Sequence, residues 1–302
     1  MDYYRYLGRV LLIATLLVMV FSSAYAEETA TAFLDKGLAH IDANQLKEAL
    51  ADLNEVIKLD PSYAQAFLYR GLIHGRVTSI ERGIQDLDES IRLDDKNAKA
   101  FYLRGSLHVF LNELNPAVKD FTAALDLDSG FDKAYSGRGA AYLYLYKFGS
   151  ALRDLSVAIE LEPDNARAYF HRGVANFHLY ELEQSLADFE MAVHLDSTDS
   201  KYRFWRAKVK VLFLEGDHVK LDQVVSDLRS YIEDNPDSAD GYINLAYALS
   251  VGCLLEDAAE HLRTGIALAE ENNSYEVTSR DYQRLALYES GVKTICEEFS
   301  DE

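Results

Sequence analysis

Apolar side chains recur along this chain at spacings of three and four, in blocks a few helical turns long, with short polar breaks between them. The stretch from Asp132 to Asn165 shows the pattern well. Tyr135, Gly139 and Tyr142 fall on one face of a predicted first helix, and Ala151, Leu155, Ala158 and Ile159 on one face of a second. Lys147-Phe148-Gly149-Ser150 supplies the break, and Pro163 follows the second block, where a chain that has left the helix accepts it. Small residues at Gly139, Ala151 and Ala158 let the two helices approach closely, so the unit reads as an αα-hairpin.

The hairpin repeats. An aromatic stands at Phe33, Phe67, Phe101, Tyr135 and Tyr169, and a glycine four places on at Gly37, Gly71, Gly105, Gly139 and Gly173; both columns advance by 34 residues without a slip. A fixed period of this length means one unit stacked on copies of itself, none of which buries its apolar face alone. Counting places from Ala30, these columns are places 4 and 8. Place 20 holds Ala49, Gly83, Ala117, Ala151, Ser185 and, in a later unit, Ala258; place 24 holds Leu53, Leu87, Phe121, Leu155, Phe189 and Leu262. A closing proline stands at Pro61, Pro163 and Pro236 and is replaced at Asp95, Ser129 and Ser197.

On these residues the chain resembles the tetratricopeptide repeat family, with units starting at Ala30, Ala64, Ala98, Asp132, Ala166, Ser200 and Ala239. The resemblance implies an all-α, right-handed α-solenoid of about seven helix hairpins over 27–270, with a C-terminal capping helix and acidic tail over 271–302. The sixth unit departs from the pattern: Ala207 replaces the glycine, and its proline comes late, which places extra length near Glu215-Gly216-Asp217-His218, as an extended hairpin or a protruding loop. Beyond Glu270 the pattern dissolves. Thr278 to Phe299 then reads as a helix with Thr278 and Asp281 as its N-terminal cap, broken or unbroken at Gly291.

The N-terminus differs from the rest. A short head carries Arg5 and Arg9, an apolar run of 12 residues extends from Val10 to Phe21, and small residues lead to Ala26. This is the build of a secretory signal peptide at 1–26, too short for the ~20 residues of a spanning helix. The expectation is an exported chain, periplasmic or secreted, with no stable membrane insertion after cleavage. Cys253 and Cys296 would then meet an oxidising compartment; two unpaired thiols is the plainer reading, and a disulfide the other. Formal net charge is −20, and removing the leader makes the chain slightly more acidic still. Such a field repels nucleic acid and anionic membranes and favours cationic partners.

Three constellations invite chemistry. An arginine precedes the repeat glycine at Arg70, Arg104, Arg138 and Arg172, with Lys36 and Arg206 in flanking units, and an aspartate recurs at Asp52, Asp86, Asp120, Asp154 and Asp188. Either the arginines form an anion-binding ladder, or each pairs with a carboxylate along the stack, as Asp52–Arg70 and Asp120–Arg138 would, and registers neighbouring repeats. His40, His74 and His108 share place 11, but equivalent positions on neighbouring helices lie ~8–10 Å apart, too far to share a metal, so they read as packing residues. His171 and His178, seven residues apart, read the same way. No phosphate loop, nucleophile elbow, paired-histidine motif or CxxC is present. The expectation is a non-enzyme without cofactor or metal. Asn272-Asn273-Ser274 is a glycosylation triplet of high chance rate.

In tetratricopeptide arrays the first helix of each hairpin lines the concave face through places 2, 5, 9 and 12. That resemblance assigns the partner groove to Leu34, Leu68, Leu72, Tyr102, Phe170, Val174, Phe204 and Tyr247, with Lys99, Lys133, Arg167 and Lys201 as basic residues at place 2. Relatives that clamp a C-terminal carboxylate use lysine at place 5 and asparagine at place 9, an arrangement this chain lacks. The groove would hold a protein or peptide segment, an amphipathic helix or extended strand. A filling by the chain's own tail or by a second copy, hence a homo-oligomer, stays open. The function expected by analogy is a non-catalytic adaptor of the cell envelope. The alternatives are a structural component of an envelope assembly or secretion complex, an enzyme accessory, and a glycan binder.

Overall fold

The computed structural model describes residues 27–213, 218–272 and 277–290, with the backbone alone at 218–220, and every structural statement below refers to these residues. The predicted leader, the insertion at Glu215–Asp217, most of the Asn272–Ser274 triplet, Gly291 and Cys296 lie outside them.

All regular structure is helical. In chain order the helices are α1 (27–42), α2 (Leu46–Leu59), α3 (Ala64–Ile73), α4 (Ile80–Leu93), α5 (Ala98–Phe110), α6 (Leu114–Leu127), α7 (Asp132–Tyr144), α8 (Phe148–Leu161), α9 (Ala166–His178), α10 (Leu182–Leu195), α11 (Ser200–Lys210), α12 (His218–Asp234), α13 (Ala239–Val251), α14 (Leu255–Asn272) and α15 (Ser279–Glu289). A five-residue π-helix, His74–Thr78, follows α3, and a short 3₁₀ turn, Val211–Phe213, follows α11. Five helix starts carry side-chain caps, Ser79, Asn97, Asn165, Asp199 and Ser238 each accepting a backbone N–H from the first turn that follows; α2, α3, α6, α8 and α10 start without one. At α15, Thr278 N–H and Oγ1 both donate to Asp281, at 2.9 and 2.7 Å.

The chain divides into two compact units inside α7, at Ala141 and Tyr142. The sequence pattern treats 27–270 as one array; a stack whose members contact only their neighbours has no single core to hold it as one body. In the first unit the core is a series of small clusters, each combining consecutive hairpins. Ala30, Leu34, Ala49, Leu53, Val56, Ala66 and Ile73 form one, and Leu68, Leu87 and Ala100 the next. Ala117, Phe121 and Ala141 form another, and Ala124, Leu125 and Ala134 the last. In the second unit a larger cluster runs from Phe204 through Leu228, Leu249 and Leu262 to Tyr288 of α15. The sixth hairpin keeps its place there, and its late proline is accommodated by the 17 residues of α12.

The turns inside the hairpins follow one rule with one exception. At place 15 the backbone takes a left-handed φ at Asn44, Asn112, Tyr146, Tyr180 and Cys253, between 56° and 62°. The next N–H closes the turn on the carbonyl five residues back, as Gln45 does on His40 at 2.8 Å and Glu181 on Asn176 at 3.0 Å. In the second repeat place 15 is Thr78, whose β-branched side chain makes a left-handed φ costly. The chain there makes the same closing bond, Ser79 N–H to His74 O at 2.9 Å, by widening into the π-helix instead.

Candidate functional site

The first helices carry the candidate face, and the structure sorts its residues sharply. In the first unit Leu34 and Leu68 are 4% and 3% exposed and belong to the core clusters, so they line no open groove. Leu72 and Tyr102 are half-buried, the Tyr102 ring lying 5.0 Å from Phe131 and 6.0 Å from Phe121. In the second unit Val174 and Phe204 are equally interior, with Phe204 stacked on Tyr231 at 4.4 Å. Phe170 is half-buried among Tyr202, Phe189 and Trp205. Tyr247 is covered from the C-terminal side: the Arg284 guanidinium of α15 lies 5.7 Å over its ring, and Tyr288 reaches Ser250 of the same helix at 3.0 Å. The apolar strip is therefore shorter than the repeat pattern implies. A first helix is flanked by its own second helix and by neighbouring hairpins, and these draw short aliphatic side chains inward.

What remains open is basic. Lys99 and Lys133 in the first unit, and Arg167 and Lys201 in the second, are all exposed, because long stems carry their charges clear of the packing. Lys99 Nζ sits 5.0 Å over Tyr69. In the second unit Lys208 lies 5.1 Å over Trp205 and 3.6 Å from Asp240. Trp205, the chain's one tryptophan, connects Phe170, Phe177, Phe189 and Phe204, although it stands at none of the repeat's marked places. Its position two residues before Ala207, in the unit without the repeat glycine, was the available signal.

The basic and aspartate columns pair as a module inside five of the hairpins. Arg70 holds Asp86 in a bidentate pair at 2.9 and 2.6 Å, and Arg104 holds Asp120 at 2.8 and 2.7 Å. Arg172 pairs with Asp188, Lys36 with Asp52 and Arg206 with Asp227. The expected partners Asp52–Arg70 and Asp120–Arg138 are thus replaced by pairs within one hairpin. The link between repeats uses place 25: Arg70 donates to Asn54, Arg104 to Asp88, Arg138 to Thr122 and Arg172 to Ser156. Each of these arginines also lies 5.2–5.7 Å over the place-4 aromatic of its own helix, Phe67, Phe101, Tyr135 or Tyr169. With their donors engaged in this way, the guanidiniums are not arranged to receive an external anion.

Place 11 completes the module. His40 Nδ1 lies 2.6 Å from Asp52, His74 Nε2 3.9 Å from Asp86 and His108 Nε2 3.8 Å from Asp120; in the fifth repeat Asn176 takes the same role toward Asp188 at 3.0 Å. These histidines are therefore partners of the repeat aspartate as well as packing residues. Among the described residues no group of His, Cys, Asp and Glu could hold a metal ion.

Two further histidines stay neutral at physiological pH. Burial lowers His171 to about 4, helped by the Arg167 charge, and its Nδ1 has no hydrogen-bond partner among the described residues. Burial, then the Lys208 charge, lowers His178, whose ring stacks on Phe148 at 4.8 Å. Cys253 holds the left-handed position of the turn between α13 and α14, with φ 61°; its expected pairing or non-pairing with Cys296 falls outside the described residues.

The hairpin geometry and its repeated aromatic–arginine–aspartate module agree with what sequence-family comparison finds. A family model described as TPR repeat matches residues 37–77, and models described as tetratricopeptide repeat match 98–131 and 136–200. The chain is a tetratricopeptide repeat protein. Among solved structures it is similar to PilF of Pseudomonas aeruginosa, with a TM-score of 0.64, 13% identity and coverage of 72% of this chain and 96% of that one. A tetratricopeptide repeat protein from Parabacteroides merdae gives a TM-score of 0.57 at 17% identity, covering 87% and 99%. YrrB, described as a TPR protein with an unusual peptide-binding site, gives 0.51 at 22% identity, covering 68% and 97%. At these identities the likeness establishes the fold. No curated protein shows significant sequence similarity to the chain.

Proposed function

We propose that this tetratricopeptide repeat protein is a non-catalytic, protein-binding scaffold of the cell envelope that holds acidic segments of a partner on its first helices. The observation that carries the reading is the pair of exposed cations in each unit, Lys99 with Lys133 and Arg167 with Lys201, at the same place of consecutive repeats in a chain of net charge −20. Exposed cations on a folded acidic protein steer and orient an acidic partner more than they tighten its binding. Half-buried Leu72, Tyr102 and Phe170 supply apolar contact beside them. The described peptide-binding character of YrrB, a protein of the same fold, supports a peptide ligand by analogy.

An exported location is part of this proposal. The basic head, apolar run and small residues ending at Ala26 support it. N-terminal sequencing of the protein recovered from the producing cells should read from Glu27; a chain still starting at Met1 would refute export by cleavage.

The binding reading is tested with a displayed random-peptide library. The wild type should enrich acid-containing peptides, Lys99→Glu/Lys133→Glu or Arg167→Glu/Lys201→Glu should lose them, and the helical signal should be unchanged. Enrichment indifferent to both pairs would overturn the assignment. Phe204→Ala is unsuited as a probe, because that ring is core. A second reading, a structural part of a larger assembly, draws on one feature of the second unit: Tyr146 and Tyr180 stand 78% and 86% exposed on the hairpin turns, where a neighbouring protein would cover them.

A further inference from the structure

The π-helical turn of the second repeat opens a cleft of about 640 Å³ between residues 75–81 and α5 of the next hairpin. Glycines bring its walls together: a Cβ on Gly75 would meet Leu107 at 2.7 Å, and one on Gly83 would meet the Gly75 backbone at 2.7 Å. The apolar lining is Val77, Ile80, Leu107 and Phe110. Two of these face water to a degree unusual for their type, Phe110 at 77% and Val77 at 58%. Single exposed apolar residues need no explanation, but two on the rim of one cleft, beside a π-turn, mark a place where something docks.

The polar lining says what docks there. Thr78 is engaged with His74 at 2.6 Å, and Ser106 donates to the Tyr102 carbonyl at 2.9 Å. Ser79 donates to Glu81 at 2.7 Å and accepts from Arg82 N–H at 3.3 Å. Glu81 is held as a carboxylate by the Ser79 hydroxyl and its own backbone N–H, which lower its pKa. The Arg76 side chain alone among them has no hydrogen bond, ion pair or ring contact with any described residue. The cleft therefore offers one uncommitted guanidinium next to an apolar floor.

We propose that this cleft binds a segment of another protein in which a bulky apolar side chain is followed closely by a carboxylate. The apolar group would lie between Val77, Leu107 and Phe110 while the carboxylate takes Arg76 in a forked pair. The site lies on the turn edge of the first unit and does not depend on the basic residues of the first helices.

The test is an NMR titration of the full ¹⁵N-labelled chain with a capped hexapeptide carrying one phenylalanine followed by two glutamates. Its partner probe is the same peptide with two lysines in place of the glutamates. The acidic peptide should shift the amides of residues 75–81 and 106–110 with a dissociation constant on the order of 1 mM or tighter. Phe110→Ala and Arg76→Glu should each weaken it about tenfold, the scale of one lost anchor or one charge-assisted pair. Arg76→Glu should also bind the lysine peptide better than the wild type does. Both side chains are exposed, so neither substitution threatens the fold. Equal binding of the two peptides by the wild type, or no shift at residues 75–81, overturns the proposal. So would shifts with octanoate and none with the acidic peptide, which would assign the cleft to a free acyl anion instead. Lys99→Glu/Lys133→Glu should leave this titration unchanged, which separates its failure from failure of the first-helix face.

Discussion

Alanine at the repeat glycine should have opposite effects in two repeats. At Gly173 an added Cβ would lie 2.8, 2.9 and 3.1 Å from the Phe189 ring, which is fully buried and cannot move without disturbing Phe170 and Trp205. At Gly37 the same Cβ would find Asp52 Cβ at 3.4 Å and Leu53 at 3.5 and 3.6 Å, ordinary van der Waals contact. Alanine gains about 1 kcal/mol of helix propensity over glycine in both places. Overpacking of a closed core costs about 1–3 kcal/mol. Gly173→Ala should thus destabilise the second unit by up to about 2 kcal/mol, and Gly37→Ala should stabilise the first by up to about 1 kcal/mol. Urea unfolding followed by Trp205 fluorescence reads the first change directly, since that indole packs on Phe189. Amide hydrogen exchange over 27–42 reads the second. Changes of the same sign in both variants would refute the argument that the aromatic at place 24 is what requires glycine at place 8.

Three further outcomes follow from the structure. Asp120→Ala should cost about 2 kcal/mol in urea unfolding, since it removes the bidentate partner and leaves Arg104 only the exposed Asp88; Asp88→Ala should cost under about 1 kcal/mol, because that carboxylate is 55% exposed and screened. Equal costs would mean that the contact between repeats, not the pair within the hairpin, carries the ladder. Tyr180→Asn should raise stability by about 0.5–1 kcal/mol, because asparagine tolerates the left-handed φ of 62° and the ring it replaces is 86% exposed; a loss of that size in a thermal melt would show the ring making a stabilising contact. His171, lowered to about 4 by burial, binds its proton more weakly folded than unfolded. Its contribution is complete above the unfolded value near 6.5 and is lost as pH falls towards 4, by about 2–3 kcal/mol at pH 4.5. His171→Leu should flatten that part of the stability–pH curve, and an unchanged slope would place the acid sensitivity elsewhere.

The hairpins were legible because their signal is redundant. Columns such as Phe33–Phe67–Phe101 and Gly37–Gly71–Gly105 state the same helix period several times over, so one degenerate unit around Ala207 does not hide it. The caps at Asn97, Asn165 and Ser238 are likewise local, settled by a side chain and the next turn of backbone. On the candidate face the exposure of Lys99, Lys133, Arg167 and Lys201 follows from their long charged side chains alone. Leu34, Leu68, Val174 and Phe204 share their places with half-buried residues, and no count along one helix says which neighbour will close over which side chain. The turn at Thr78 was equally hidden, since a threonine at place 15 announces a conflict without saying how the backbone resolves it.

By itself the sequence determined the period and the helix pairs, since each depends on residues within a few turns of one another, and composition fixed the net charge of −20. Only the tertiary structure decided that Arg104 is bound by Asp120 and Asp88 rather than free for an anion, that Tyr247 lies beneath Arg284, and that a π-turn opens a cleft beside Phe110. Those outcomes depend on which surfaces come within a few ångströms of each other, and that distance belongs to the packing of whole helices rather than to the spacing of residues along any one of them.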